Sequence, residues 1–225
     1  YGQTHVPAPN TGFVAVAGGN YHSLGLKADG SIAAWGNNYH GQTIVPAPNT
    51  GFTAVAGGDL HSLGLKADGS IAAWGRNDSG QTDTPALNTG FVAVAGGYFH
   101  SLGLKADGSI VAWGRNNYGQ TNTPAPNAGF VAVAGGDLHS LGLKADGSIV
   151  AWGSNYSGQT DVPAPNTGFV AVAGGYSHGL GLKADGSIVA WGRNNYGQTD
   201  PPAPNADFVA VAGGYWHGLG LKADG

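Results

Sequence analysis

The chain repeats one unit at a fixed step of 39 residues. The triplet Gly-Gln-Thr follows the first residue of each repeat, and its starting positions are Gly2, Gly41, Gly80, Gly119, Gly158 and Gly197. A constant period of roughly 20 to 50 residues is typical of solenoids and propellers, in which each repeat buries its apolar face against the next. The period therefore predicts a single domain spanning 1–225, made of repeats 1–39, 40–78, 79–117, 118–156, 157–195 and 196–225.

Each repeat reads as three strands. In the fourth repeat, Phe130–Ala134 is apolar, His139–Lys144 carries leucine at alternate positions, and Ser148–Gly153 contains Ile149 and Trp152. The Asp-Gly pair between the second and third runs is a strong hairpin signal. Residues 159–162 are expected to add a weak fourth strand before the proline-rich connector.

Glycine is frequent, with 42 residues, and no stretch shows a helical period. Small antiparallel sheets repeated in this way predict an all-β fold, a β-propeller of 39-residue blades. A β-solenoid is the alternative.

The sixth repeat is incomplete. The segment Ser-Ile-x-Ala-Trp-Gly occurs five times, beginning at Ser31, Ser70, Ser109, Ser148 and Ser187. We therefore expect six repeats, five complete and the sixth lacking its third strand, or seven blades if the chain is incomplete. The chain starts at Tyr1 in mid-repeat and has no methionine, which suggests a processed or truncated start. The open edge of the sixth blade favours self-association.

Composition narrows the function classes. The net charge is −4 and the nine lysines and arginines are spread along the chain, which argues against nucleic acid as a partner. There is no cysteine, hence no disulfide or zinc–thiolate site. No apolar run reaches membrane-spanning length, so no membrane partner is expected.

The string His-Ser-Leu-Gly-Leu-Lys-Ala-Asp-Gly-Ser-Ile-x-Ala-Trp-Gly-x-Asn-x-x-Gly-Gln resembles the repeat of the regulator of chromosome condensation family. The resemblance covers nearly the whole chain and implies a β-propeller, usually of seven blades. The short repeat and the Val-Pro-Ala-Pro connector look most like compact bacterial members, such as the secreted β-lactamase inhibitory propellers. That resemblance favours a secreted or extracellular bacterial protein, although the sequence alone leaves localisation unknown.

Differences between repeats gather in two segments, one after Gly-Gly and one after Trp-Gly. In an up-and-down blade these are the first and third turns, which lie at the same end. Tyrosine, tryptophan and arginine dominate interface hot spots. The predicted partner-binding residues are Tyr21, Leu60, Tyr98, Phe99, Leu138, Tyr176, Tyr215, Trp216, Arg76, Arg115 and Arg193.

A non-enzymatic, protein-binding module is the favoured function. Two alternatives stay open. One is a carbohydrate-binding propeller, because aromatic rings stack on sugars. The other is a structural protein without ligand, either recently amplified or engineered.

Two recurring residue types are predicted to be structural. The histidines share one setting without metal-ligating companions, so we expect hydrogen bonds to backbone, at His22, His61, His100, His139, His178 and His217. The invariant tryptophans are expected in the core, at Trp35, Trp74, Trp113, Trp152 and Trp191. The Asp-Gly aspartates are read as turn formers, and the serine that follows four of the six histidines lacks an acid partner. No metal, cofactor or catalytic residue is predicted.

Overall fold

A computed structural model describes residues 2–225, which form strands and turns without a helix. Within these residues, therefore, no helix is long and apolar enough to cross a membrane. The first strands of the repeats are β1 (Phe13–Gly18), β4 (Phe52–Gly57), β7 (Phe91–Gly96), β10 (Phe130–Gly135), β13 (Phe169–Gly174) and β16 (Phe208–Gly213). The second strands are β2 (His22–Lys27), β5 (His61–Lys66), β8 (His100–Lys105), β11 (His139–Lys144), β14 (His178–Lys183) and β17 (Gly218–Lys222). The third strands are β3 (Ile32–Gly36), β6 (Ile71–Gly75), β9 (Ile110–Gly114), β12 (Ile149–Gly153) and β15 (Ile188–Gly192).

Each complete repeat forms one three-stranded sheet whose strands follow chain order. Strands β1 and β2 pair antiparallel, as do β2 and β3. The sixth repeat forms a two-stranded sheet, β16–β17. The all-β fold of repeated three-stranded units is thus confirmed, together with the missing third strand of the last repeat.

The expected fourth strand is wrong. Residues 159–162 form turn and irregular backbone, as do their equivalents in the other repeats. An asparagine side chain from the connector covers the outer edge of the third strand instead. Asn49 Oδ1 accepts from Ile32 N–H at 2.8 Å, and Asn49 Nδ2 donates to Ile32 O at 2.8 Å. One side-chain amide thus satisfies both the N–H and the carbonyl of Ile32. The Pro-Ala-Pro connector could not form a regular strand pair there, because proline has no N–H to donate.

The Asp-Gly hairpins form as predicted. Ser31 donates to Asp29 Oδ1 from its N–H at 2.9 Å and from its hydroxyl at 2.6 Å, and these bonds lower the pKa of Asp29. Gly30 takes a positive φ of 78°, which glycine adopts without strain. The aspartates therefore shape turns, as the sequence indicates.

Contacts divide the chain into two compact bodies. The N-terminal body comprises residues up to Ala106 together with Val111–Arg115, and the C-terminal body comprises Asp107–Ile110 and Asn116–Gly225. Within each body, every core cluster combines two successive sheets. In the N-terminal body, Leu24, Leu26 and Ile32 of one sheet pack with Phe52 and Trp74 of the next.

The Gly-Gly pair at the end of each first strand permits this close approach. A Cβ on Gly57 would lie 2.6 Å from Gly18 O, and a Cβ on Gly58 would lie 2.1 Å from the His61 ring. Backbone and ring therefore occupy the space that any side chain would need. Gly18, at the same repeat position as Gly57, has open space at its Cβ position.

This difference gives a matched test. Gly57→Ala should destabilise the protein by about 1–3 kcal/mol, because backbone must shift to admit the methyl group. Gly18→Ala should change stability by no more than about 0.5 kcal/mol, as is usual for a substitution that meets no neighbour. Urea unfolding measures both, and equal effects of the two substitutions would contradict the packing.

Candidate functional site

The two edited turns lie at the same end of each sheet, which we call the variable end. Arg76 N–H donates to Leu60 O at 2.9 Å, and Arg193 N–H donates to Ser177 O at 2.9 Å. These bonds join the residue after Trp-Gly to the residue after Gly-Gly-x. At the opposite end, Ala67 N–H donates to Gly51 O at 2.9 Å, which joins the second turn to the connector.

In the N-terminal body, the variable end carries a cluster around Phe99. The guanidinium carbons of Arg76 and Arg115 lie 4.7 and 5.3 Å from the Phe99 ring centre. Tyr98 meets the same ring edge-on, with centroids 4.2 Å apart at 78°. Arg76 Nε also contacts Asp78 Oδ2 at 2.7 Å. These five residues, Arg76, Asp78, Tyr98, Phe99 and Arg115, form the Phe99 cluster.

In the C-terminal body, the variable end carries a second cluster around Trp216. The Trp216 ring lies 4.9 Å from Tyr176, 4.6 Å from Tyr215 and 5.4 Å from Tyr196. Arg193 stacks on it at 4.7 Å. Trp216 is 37% exposed and Tyr196 68% exposed. Tyr176, Arg193, Tyr196, Tyr215 and Trp216 form the Trp216 cluster, a contiguous aromatic surface in contact with solvent.

The other predicted binding residues also lie in turns at the variable end. Tyr21 is exposed, and Leu60 and Leu138 are half-buried. Beside Leu60, Asp59 is buried and accepts from Asn20 Nδ2 at 2.9 Å. Burial raises the pKa of Asp59, while the Asn20 hydrogen bond opposes that rise. This hydrogen bond joins the first turns of two successive repeats.

The sequence prediction missed four residues at this end. Asp78 and Tyr196 belong to the two clusters, and Tyr118 packs edge-on against Tyr156 with centroids 5.9 Å apart. All four lie in the turn after Trp-Gly. That turn differs between repeats, and its three tyrosines, Tyr118, Tyr156 and Tyr196, are the signal that could have placed it in the site.

A buried glutamine five residues after each arginine shows how the arginine lowers the stability of the fold. Gln42 Nε2 donates to Asn37 Oδ1 at 3.0 Å, and Gln159 Nε2 donates to Ser154 Oγ at 3.3 Å. Where arginine holds the position of Asn37, as in Arg76 and Arg193, it offers no acceptor. Among residues 2–225, the buried glutamine amide nitrogens without a hydrogen-bond partner are those of Gln81, Gln120 and Gln198. An unsatisfied buried donor costs about 1–3 kcal/mol.

The histidines join successive sheets. His22 Nε2 lies 2.9 Å from Ser62 Oγ of the next repeat, and His61 makes the same contact with Ser101 at 3.0 Å. Ser62 donates its hydroxyl proton to Gln42 O at 2.8 Å, so His22 Nε2 must donate to Ser62. The partner is thus a serine hydroxyl across the repeat junction, rather than the backbone group that the sequence suggested.

This serine–histidine contact is unsuited to nucleophilic catalysis. A general base accepts the proton of the nucleophile, whereas here the imidazole donates to the hydroxyl. Both Ser62 and His61 are fully buried. Desolvation lowers the pKa of His22 to about 4 and that of His61 to about 3. Within residues 2–225, no three His, Cys, Asp or Glu side chains group as metal ligands do.

The histidine–serine contact is not present in every repeat, and the burial of the histidines and tryptophans also differs between repeats. His100, His139 and His178 are also buried. In the next repeat, the position that Ser62 holds relative to His22 is Gly179 for His139 and Gly218 for His178. His217 is exposed. Trp74 Nε1 donates to Gln42 O at 2.9 Å, the same carbonyl that Ser62 uses. The tryptophans are buried except for the half-buried Trp35, and the buried ones are Trp74, Trp113, Trp152 and Trp191.

The buried histidines predict acid sensitivity. Their folded pKa values lie below the ordinary 6.5, so below pH 6.5 the unfolded chain binds protons that the folded chain excludes. The buried histidines therefore do not reduce the free energy of unfolding above pH 6.5. As the pH falls below that value, each one lowers the free energy of unfolding by about 1.4 kcal/mol per pH unit. Urea unfolding between pH 6.5 and 5 should show this slope. His61→Asn should reduce this slope, and a stability that does not change between pH 6.5 and 5 would contradict the prediction.

The glutamine contacts predict that an arginine can be replaced with a gain in stability. Arg76→Asn should stabilise the protein by about 1 kcal/mol, because Gln81 gains the acceptor that Gln42 has. Asn37→Arg is the reverse substitution in the first repeat and should destabilise. Chemical denaturation measures both, and a loss of stability in Arg76→Asn would show that stacking on Phe99 outweighs the hydrogen bond.

Comparisons with known proteins agree with this repeat. Five segments match the regulator of chromosome condensation (RCC1) repeat, and they are residues 13–42, 52–81, 91–120, 130–159 and 169–198. Each segment runs from the first strand of a sheet to the buried glutamine, and together they cover well over half of the chain. A comparison with curated protein sequences finds no match.

Solved structures share the fold. The chain is 25% identical to the ectodomain of the receptor kinase CR4 from Physcomitrella patens, with a TM-score of 0.78 over 94% of this chain and 59% of that one. It is 20% identical to yeast RCC1 (Prp20) bound to Kap60, with a TM-score of 0.81 over 97% and 70%. It is 19% identical to Prp20p from Saccharomyces cerevisiae, with a TM-score of 0.73 over 94% of this chain and 70% of that one.

The chain spans 59% of the CR4 ectodomain, so the activities of whole relatives do not transfer to it directly. The five matched repeats, the strand order and the likeness to these solved structures agree with one another. The chain belongs to the RCC1-repeat family and has its β-propeller type of fold.

Proposed function

We propose that the chain is a non-enzymatic module that binds a protein partner through the Phe99 cluster and the Trp216 cluster. The observation that carries the proposal is the arginine at the position of Asn37. It recurs in three of the five complete repeats, as Arg76, Arg115 and Arg193, and the buried glutamine five residues after each of them has a side-chain amide nitrogen without a hydrogen-bond partner. A residue that lowers stability yet recurs is expected where it serves binding.

The clusters have the chemistry of interface hot spots. Tryptophan, tyrosine and arginine supply large contact areas at low conformational cost. Here stacking already orders the side chains, since Arg76 and Arg115 both lie against Phe99 and Arg193 lies against Trp216. Ordering before binding lowers the entropy lost on association.

Relatives support protein as the class of partner. Yeast RCC1 (Prp20) was solved with Kap60 bound, and Prp20p was described with its binding properties to Gsp1p and histones. A narrower proposal is kinship with secreted bacterial β-lactamase inhibitory propellers, which an inhibition assay with a purified β-lactamase would test.

The clusters can be tested by differential capture. The wild-type chain, a Phe99→Ala/Trp216→Ala variant and a Leu87→Ala variant are immobilised and exposed to an extract of the source organism. Leu87 is a suitable control because it is an apolar residue, 78% exposed, in a connector at the opposite end. We expect at least one protein to be recovered equally by wild type and Leu87→Ala but at least tenfold less by the cluster variant. Equal recovery of every protein by all three would contradict the proposal.

A glycan array distinguishes the carbohydrate-binding alternative, which the same aromatic rings would serve. Saturable glycan binding that the cluster variant loses would replace protein with glycan as the ligand. The ligand-free alternative predicts no difference between the variants in either experiment.

A further inference from the structure

The positive charges of the chain fall into two groups with different surroundings. Each lysine stands two residues before the aspartate of an Asp-Gly turn. Hydrogen bonds from Ser70 and the charge of Lys66 together lower the pKa of Asp68. The lysines therefore have a carboxylate close by, at the end opposite the variable end. The arginines all follow Trp-Gly at the variable end, where the neighbouring side chains differ from repeat to repeat.

Arg76 has carboxylates as neighbours. Its Nε donates to Asp78 Oδ2 at 2.7 Å. The buried Asp59 is also close: burial raises the pKa of that carboxyl, and the Asn20 hydrogen bond and the charge of Arg76 oppose the rise. The charge of Arg76 is thus balanced within the chain.

Arg115 holds the same repeat position without those two carboxylates. The residues at the positions of Asp78 and Asp59 are Asn117 and Tyr98. Within residues 2–225, no carboxylate lies within ion-pair distance of the Arg115 guanidinium. Arg115 therefore presents a positive charge that no ion pair in this range neutralises.

An aromatic ring holds Arg115 in place. Arg76 lies against Phe99 of the following repeat, whereas the residue at that position of the repeat after Arg115 is Leu138. The Arg115 guanidinium lies instead against Phe99 of its own repeat, 5.3 Å from the ring centre. A stacked guanidinium keeps its N–H donors at its edge, where a carboxylate can accept two of them.

The ring that supports Arg115 is itself fixed. Tyr98 meets Phe99 edge-on, with centroids 4.2 Å apart. The Tyr98 side chain hydrogen-bonds to Asp59, which also accepts from Asn20 Nδ2 at 2.9 Å. This chain of contacts crosses three successive repeats of the N-terminal body. The donors of Arg115 are thus ordered in the free protein, which lowers the entropy lost on binding.

We propose, on the basis of the function proposed above, that the Phe99 cluster binds an aspartate or glutamate side chain from an acidic segment of the partner protein. The carboxylate accepts from the edge of the Arg115 guanidinium. Apolar side chains beside it in the partner contact Phe99 and Tyr98. Acidic motifs are commonly recognised by arginine side chains in this way.

A single carboxylate suits this surface better than a phosphate group. Asp59, Asp78 and Asp83 lie at the same end of the N-terminal body, where they bond to Asn20, Arg76 and Asn77, respectively. A phosphate group on a side chain carries nearly two negative charges at neutral pH. These aspartates therefore repel it more strongly than they repel one carboxylate.

A peptide display library tests the site. Random dodecamer peptides are selected on the immobilised whole chain, and the selected pool should contain at least twice as much aspartate and glutamate as the unselected library. Arg115→Asn removes the guanidinium and gives the Gln120 amide an acceptor, so this variant should unfold at no lower urea concentration than the wild type. Its selected pool should show no acidic enrichment. Lys105→Asn removes one positive charge at the opposite end of the same body and should retain the enrichment.

A selected peptide identifies the recognised group. It is labelled with fluorescein and made in three forms: unchanged, with each acidic residue replaced by its amide, and with phosphoserine at those positions. In anisotropy titrations, the unchanged peptide should bind the wild type at least tenfold more tightly than the amide form. It should bind Arg115→Asn at least tenfold more weakly, and the phosphoserine form should bind the wild type no more tightly than the unchanged peptide.

Three results would overturn the assignment of a carboxylate: selected peptides without acidic enrichment, enrichment that persists in Arg115→Asn, or tighter binding of the phosphoserine form. Each of these would leave the proposed function standing, because that depends on whether the Phe99→Ala/Trp216→Ala variant loses a captured protein.

Discussion

The contact between successive sheets is the constraint on which the rest of this structure depends. Sheets approach so closely at Gly57 and Gly58 that backbone and an imidazole ring occupy the space of any side chain. The same ring, that of His61, extends to Ser101 of the next repeat, and Ser101 donates to Gln81 O at 2.8 Å. One main-chain carbonyl thus receives both a serine hydroxyl and a tryptophan N–H. The repeat is stabilised by its neighbours rather than alone, as in other repeat proteins.

Local features were predictable from the sequence because their causes are local. The Asp-Gly hairpins, the alternating leucines of the second strands and the absent third strand of the sixth repeat all follow from residues adjacent in the chain. The fourth strand was predicted wrongly because an asparagine side chain from the connector, Asn49 in the first case, replaces strand pairing at the outer edge. The partner of His22 was missed because it lies 40 residues away, and periodicity alone does not show which way a ring points.

The candidate site, too, was only partly predictable from the sequence. Comparing repeats identified the variable turns and most residues of both clusters. It could not show that Arg76 and Arg115 share Phe99, since that depends on side-chain conformation across a repeat boundary. Nor could the comparison show that arginine lowers stability. The glutamine five residues later is the same in every repeat, and only the structure shows that its amide nitrogen has no acceptor where arginine is present. The variable end thus combines lower stability with an ordered aromatic and cationic surface, a combination consistent with binding.

The histidine–serine contact across the repeat junction can be measured directly. A double-mutant cycle of His22→Ala and Ser62→Ala, followed by urea unfolding, measures the coupling between the two side chains. We expect a coupling of about 1 kcal/mol or more, as is usual for a buried hydrogen bond. His178→Ala should lower stability by less than His22→Ala does, since Gly218 offers no hydroxyl. Additive effects of the two substitutions would show that the junction is held by packing alone and would contradict the account.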